Sequence, residues 1–300
     1  STGSANVANR GDITISQATG TMTVGSVVSD FGTVSLSTKD ASAGDIVADT
    51  SYATNVRAAN VRLNAAGSVG TDTDPLVIET GVVTKTAVGN LIDPSIDPAT
   101  GKYVTPKVIW DAATKSYVTN ATVDFTWIEN YDETGASPLV ASAGKDVSVA
   151  EKTGALGIGS VDAGGMVTLT AATIVDARDA TATTPDISSA GVTLVTTEGD
   201  IGSSDKPITV DTNGSGTTAQ DTVNASSPKD IYITEVAGDL RVGAITSGND
   251  TILKVADGSL VDADPADRLT NLAALLKAAE KAEASAASAA EAAAIRTDTL

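Results

Sequence analysis

Sixteen residues recur three times in this chain without a gap, and that recurrence constrains the fold more than any other feature. The copies are DITISQATGTMTVGSV (12–27), DVSVAEKTGALGIGSV (146–161) and DIYITEVAGDLRVGAI (230–245). They share a leading acid, β-branched residues two apart, a Gly at the ninth position, two apolar residues two apart, a second Gly and a closing β-branched residue. Alternation with period two, repeated on either side of a turn, predicts a pair of short strands. Gly20, Gly154 and Gly238 fall at the turn, where a Cβ would be in the way.

The flanking sequence repeats as well. VTLTAATIVDA (167–177) follows the second copy and ILKVADGSLVDA (252–263) the third, while GSVGTDTDPLVIET (67–80) returns as GDIGSSDKPITVDT (199–212). Pro75 and Pro207 each stand immediately before an alternating strand, where a missing N–H is tolerated. A tandem array of short strands predicts an all-β solenoid. Strands of successive turns would stack about 4.8 Å apart, each hydrogen-bonding the next. With turns of about twenty residues, the stretch from Asp146 to Asp230 would make about four turns and about 20 Å of fibre.

Composition agrees with a thin core. Aromatics are only 3% of the chain, and Cys and His are absent. A thick globule of 300 residues would lean on large aromatic side chains, whereas a core ringed by short strands needs only Val, Ile, Leu and Ala. Nineteen Lys and Arg against 38 acids give a net charge of −19, which argues against nucleic acid and anionic membrane surfaces as partners. No run of about eighteen apolar residues exists to span a membrane.

Four regions follow. Residues 1–81 and 143–263 carry the repeats. Residues 82–142 form an insertion holding six of the nine aromatics, Tyr103, Trp110, Tyr117, Phe125, Trp127 and Tyr131. Two similar turns, DPATGKYV (97–104) and DAATKSYV (111–118), read as hairpin loops, and Val123, Phe125 and Trp127 alternate as on one strand. A small antiparallel sheet projecting from the array is predicted. In the last region, 264–300, Asp264 and Pro265 look like a helix cap, and the Ala-rich run beyond them predicts a helix with Leu269, Leu272 and Leu276 along one face. The chain begins at Ser1 and stops at Leu300 just after this helix, so it is expected to be a piece of a longer chain continuing at both ends.

KDIYITEVAGDLRVGAITS (229–247), GSLVDAD (258–264) and GDIGSSDKPITVDT resemble repeats of very large bacterial exoproteins of the filamentous haemagglutinin and leukotoxin-like adhesin type. The resemblance covers about 11–80 and 145–263. It implies a right-handed parallel β-helix, export by two-partner secretion, and display at the bacterial cell surface as a fibre that attaches cells to surfaces or to one another. Its partner would be a host or bacterial surface glycan or protein.

Candidate sites are few. Without His or Cys, triads, thiolate nucleophiles and His-based metal sites are excluded, leaving carboxylate, Lys, Ser or Tyr chemistry. The acids recur at turns (Asp12, Asp146 and Asp230; Asp72 and Asp205), which suits a structural role, so the expectation is that the chain is not an enzyme. The alternative is a carbohydrate-active β-helix enzyme, a polysaccharide lyase or hydrolase, which needs two carboxylates and a base converging in a groove. No cofactor is expected. Calcium is a secondary candidate because TDTDP (71–75) and DADPAD (262–267) gather oxygen ligands, although Asp in such turns more often bonds its own backbone. Gly154, Gly157 and Gly159 mimic a nucleotide loop but no helix follows. The aromatic insertion is the best binding candidate, since Trp and Tyr faces suit carbohydrate or protein ligands. The same side chains are also the only large ones available to fill a core in the projection.

Overall fold

A computed structural model describes residues 5–9, 11–29, 32–88, 109–111, 116–118, 126–132, 138–179, 182–212, 222–263 and 276–277. The chain shuttles between two sheets, leaving about one strand in each per pass. The larger, of eleven strands, runs Ala5–Asn9, Met22–Ser29, Val56–Ala58, Leu76–Thr80, Val147–Glu151, Met166–Ala171, Gly191–Thr196, Thr222–Ser227, Leu240–Ser247, Leu260–Asp262, with Ile46–Ala48 also paired to Met22–Ser29. The other, of ten, runs Ile13–Gln17, Thr33–Thr38, Asn60–Ala65, Pro138–Ala143, Ala155–Ala163, Ile187–Ser188, Ile208–Asp211, Ile231–Glu235, Thr251–Val255, with Thr173–Asp176 beside Ala155–Ala163. Every pairing within these two sheets is parallel.

Period two does the sorting. Along one strand of the larger sheet Val167, Leu169 and Ala171 are buried while Met166, Thr168 and Thr170 alternate outward. Parallel register then stacks like on like. Val149, Leu169, Leu194 and Ala225 are successive partners inside the larger sheet. Ser16, Ser37, Asn64, Ser142, Asp162 and Ser188 are successive partners along the outside of the smaller. Among the described residues the buried apolar side chains form one cluster of Ile, Val, Leu, Ala and Met, with no aromatic in it.

The turn glycines behave as their spacing predicts: Gly20, Gly154 and Gly238 have φ of 74°, 77° and 78°, a region a side chain rarely enters. The longer repeat also becomes a shared device. Val69 bridges Ile46 and Val147, and its sequence counterpart Ile201 bridges Ile174 and Ile231.

One feature departs from simple stacking of the copies. The first and third copies begin on the smaller sheet, at Ile13 and Ile231, but the second begins on the larger, at Val147. An odd number of half-passes separates neighbouring copies, so each begins on the sheet opposite to the last. Both sheets ask for the same pattern, an apolar inward row and a small polar outward one, so a unit fits either.

Between Thr80 and Pro138 the described strands stand outside the two parallel sheets. Val82–Val88 pairs antiparallel with Thr126–Asp132, and Ile109–Asp111 with Ser116–Val118. The chain rejoins the smaller sheet at Pro138–Ala143, inside the range 82–142 read from the pattern as insertion. Of the Ala-rich region, only Leu276 and Lys277 are described, both helical and exposed. No helix among the described residues is long and apolar enough to cross a membrane.

Candidate functional site

The recurring acids hold neighbouring passes together. Asp146 Oδ1 accepts the Met166 amide at 2.8 Å across twenty residues, Asp230 Oδ1 accepts Asp250 N at 2.9 Å, and Asp12 Oδ1 accepts Thr33 N at 2.8 Å. Asp45, Asp200 and Asp239 repeat the bond to Ser68, Asp230 and Ser259. Each carboxylate thereby satisfies an amide of the next pass at a corner where the sheet ladder is interrupted. Asp40 does this in the other direction: the Gly20 amide, together with the Ser42 hydroxyl and amide, holds its carboxyl well below the usual range, at about 2.

Two further carboxyls are inside. The alternation that buries Val147 and Val149 continues to Glu151, and the one that buries Ile231 and Ile233 continues to Glu235. Glu151 takes the inward place after Ile78, in the row Val27, Val56, Ile78. Glu235 follows Ala141, Val161, Ile187 and Val210 in the smaller sheet. Their relative exposures are 5% and 0%, so each must be satisfied internally. Glu151 accepts the Thr80 amide at 3.1 Å and the Thr80 hydroxyl at 2.7 Å. Glu235 accepts the Thr212 amide at 3.4 Å and its hydroxyl at 2.9 Å. Burial raises Glu151 to about 8 despite these bonds, with the Glu79 charge adding to the rise. Burial likewise raises Glu235 to about 7, and Asp211 adds to it. Neither glutamate was singled out from the sequence. The available signal was that period two runs one step beyond the apolar pair in all three copies, to Gln17, Glu151 and Glu235.

Beside Glu151, three stacked turns form a groove of about 510 Å³ whose walls include Lys152, Thr153, Thr173, Thr197 and Glu198.

A third group gathers at the loop between Thr173–Asp176 and Ile187–Ser188. Arg178 Nε lies 3.1 Å from Asp176 Oδ1 and 2.6 Å from Asp186 Oδ1, the second an ion-pair contact without hydrogen-bond direction. Its other nitrogens donate to the Thr184 carbonyl and, at 2.9 Å, to Thr209 Oγ1. Asp186 Oδ2 also accepts the Thr209 amide and hydroxyl, each at 2.7 Å. Burial drives Asp186 up to about 6. Asp176 is half-buried, which works to raise it, but the Arg178 amide and guanidinium donate to it and, with Asp186 beside it, hold it below its usual value. Two carboxyls and an arginine thus converge, but the guanidinium stays protonated and cannot act as a base, and Asp186 is fully buried in a closed network.

The aromatic candidates are divided. Trp110 and Tyr117 lie directly opposite each other in the short hairpin. Trp127 faces Ala87, and Tyr131 faces Val83, in the register of the longer pair. Tyr103 and Phe125 lie outside the described residues, as do the first look-alike turn and Val123. For calcium, no group of three or more Asp or Glu gathers among the described residues. In the TDTDP segment the Asp74 amide donates to Thr71 Oγ1 at 2.9 Å and the Thr71 amide to the Asp74 carbonyl at 3.0 Å, while Asp72 Oδ1 accepts the Thr168 hydroxyl at 3.2 Å. Most of DADPAD lies outside the described residues.

Compared with protein-family models, curated proteins and solved structures, the chain matches none.

Proposed function

We propose that the chain is a non-enzymatic structural segment of a secreted bacterial surface exoprotein of the filamentous haemagglutinin-like kind, continued by further chain at both ends. The two sheets are then the walls of a right-handed parallel β-helix acting as a stalk, and recognition of a surface glycan or protein belongs to the insertion. One observation carries the reading: successive passes pair in parallel with their neighbours, tied at the corners by repeated Asp-to-amide bonds. Such an object sets reach and stiffness, and its interior is committed to holding itself together. The Ala-rich region serves as a spacer.

The reading is tested on glycan and extracellular-matrix arrays, comparing the whole chain with a variant lacking 82–137. The expected result is binding by the first and loss of it by the second. Equal binding by both would remove recognition from the insertion.

A second reading, a carbohydrate-active enzyme, is favoured by the convergence of Asp176, Arg178 and Asp186. It requires turnover on a polysaccharide panel that disappears in Asp176→Asn. The stalk reading expects no turnover from either protein.

A further inference from the structure

The groove beside Glu151 follows one corner of the array across three passes, at residues 151–155, 170–173 and 197–198. It adjoins the point from which the insertion departs, since Glu151 lines the groove and also bonds Thr80. Passes about 4.8 Å apart make it about 10 Å long. Its volume of about 510 Å³ falls among those of small-molecule sites. Gly154 and Ala172 keep part of its lining low.

This corner lacks the tie that closes an equivalent one. In the longer repeat Ile46 bridges Val69 and Ile174 bridges Ile201, so Asp45 and Thr173 hold the same place. Both face a close approach: a Cβ at Gly67 would strike Asp45, and one at Gly199 would strike Thr173. Asp45 Oδ1 accepts the Ser68 amide at 2.8 Å and so joins two passes. Thr173 makes no such bond to Asp200, the counterpart of Ser68, and its hydroxyl has no hydrogen-bond partner among the described residues. The Thr170 hydroxyl and the Glu198 carboxylate likewise have none there. Two hydroxyls that donate or accept, and a carboxylate that accepts, thus border one groove with their bonding capacity unused.

The chemistry of the lining narrows the occupant. Lys152 is its one cation among the described residues, its Nζ already donates to Thr54 Oγ1 at 2.8 Å, and two glutamates share the groove, so an anion is poorly matched. No group of three or more acids gathers among the described residues to hold a metal ion. The lining contains no aromatic or large aliphatic side chain to receive an apolar ligand. What fits is an uncharged molecule rich in hydroxyls, which donate to Glu198 and exchange bonds with Thr170 and Thr173.

We propose that this groove binds a short neutral oligosaccharide on the stalk itself, beside the root of the insertion. It is a glycan site apart from the aromatic residues of the insertion. It goes beyond the reading of the insertion as the recognition element and does not depend on it.

Amide spectra of the whole chain, titrated separately with neutral di- to tetrasaccharides, uronate-containing oligosaccharides and short peptides, test the site. Neutral sugars at up to about 10 mM should shift residues 152–154, 170–173 and 197–199. Thr173→Asp gives the corner the residue found at Asp45 and should weaken binding at least about tenfold. Thr170→Val removes only a hydroxyl and should weaken it at least about fivefold, and it decides if Thr173→Asp folds poorly. A variant lacking 82–137 should keep the shifts. The site is overturned if no neutral sugar shifts these residues, if only uronates or peptides do, if Thr170→Val binds as the parent does, or if removing 82–137 abolishes the shifts. Array binding lost on removing 82–137 supports the insertion whatever happens at the groove, so the two readings fail separately.

Discussion

Leu240 and Leu260 are partners in adjacent passes of the same sheet, yet the first is fully buried and the second 60% exposed. In the middle of the array, Val149, Leu169 and Leu194 are all at most 1% exposed. The side chains are of one kind and the strands of one design. The difference is that Leu240 has a pass on either side and Leu260 is described with one only. Burial in this molecule is conferred by the neighbouring pass rather than by the strand's own sequence, as expected of a quasi-one-dimensional array.

That contrast predicts a gradient of sensitivity. Leu169→Ala should cost about 3 kcal/mol, read from urea denaturation, because it opens a cavity walled by passes on both sides. A loss as small as that of a surface change would mean the middle passes are not packed as described. The buried glutamates give the next effect. Their folded pKa values are raised above 4.5, so the stability they confer is fully present below pH about 4.5. It is lost as pH rises through about 7 for Glu235 and about 8 for Glu151. Glu235→Gln should therefore flatten the fall in thermal midpoint between pH 5 and 8, and an unchanged slope would contradict the burial of that carboxyl. Asp146→Ala leaves the Met166 amide without its partner and should cost about 1 kcal/mol. Leu260→Ala, at an exposed position, should cost no more than about 0.5 kcal/mol. Equal losses at Leu169 and Leu260 would erase the comparison.

Much of this was legible in the sequence. Period-two alternation gave the strands, the recurring Gly the turns, and the acid-led repeats a tandem array. Two things were hidden, for physical reasons. Because both sheets accept the same pattern, nothing in the letters reveals that Val147 starts on the sheet opposite to Ile13 and Ile231; only the count of half-passes does. Glu151 and Glu235 look like strand-ending surface acids, since a charged residue after an apolar pair ordinarily marks the edge of the buried stretch. Their inward position depends on the alternation running one step further, and on Thr80 and Thr212, 71 and 23 residues away in sequence, arriving to bond them. The convergence of Asp176 and Asp186 on Arg178 was equally invisible, being the product of a loop closing on itself. In the insertion, Ile109–Asp111 and Ser116–Val118 pair antiparallel, with Trp110 opposite Tyr117.

Successive passes lie side by side along one direction, and the absence of native cysteines makes that directly measurable. Ser16 and Ser188 stand at the two ends of the outward row that runs through Ser37, Asn64, Ser142 and Asp162. Spin labels on Ser16→Cys and Ser188→Cys are then five strand spacings apart, and pulsed dipolar spectroscopy should return a single narrow distance of about 24 Å between the attachment points. A distance beyond about 40 Å, or a broad distribution spanning several such distances, would contradict the stacking of these passes and everything built upon it.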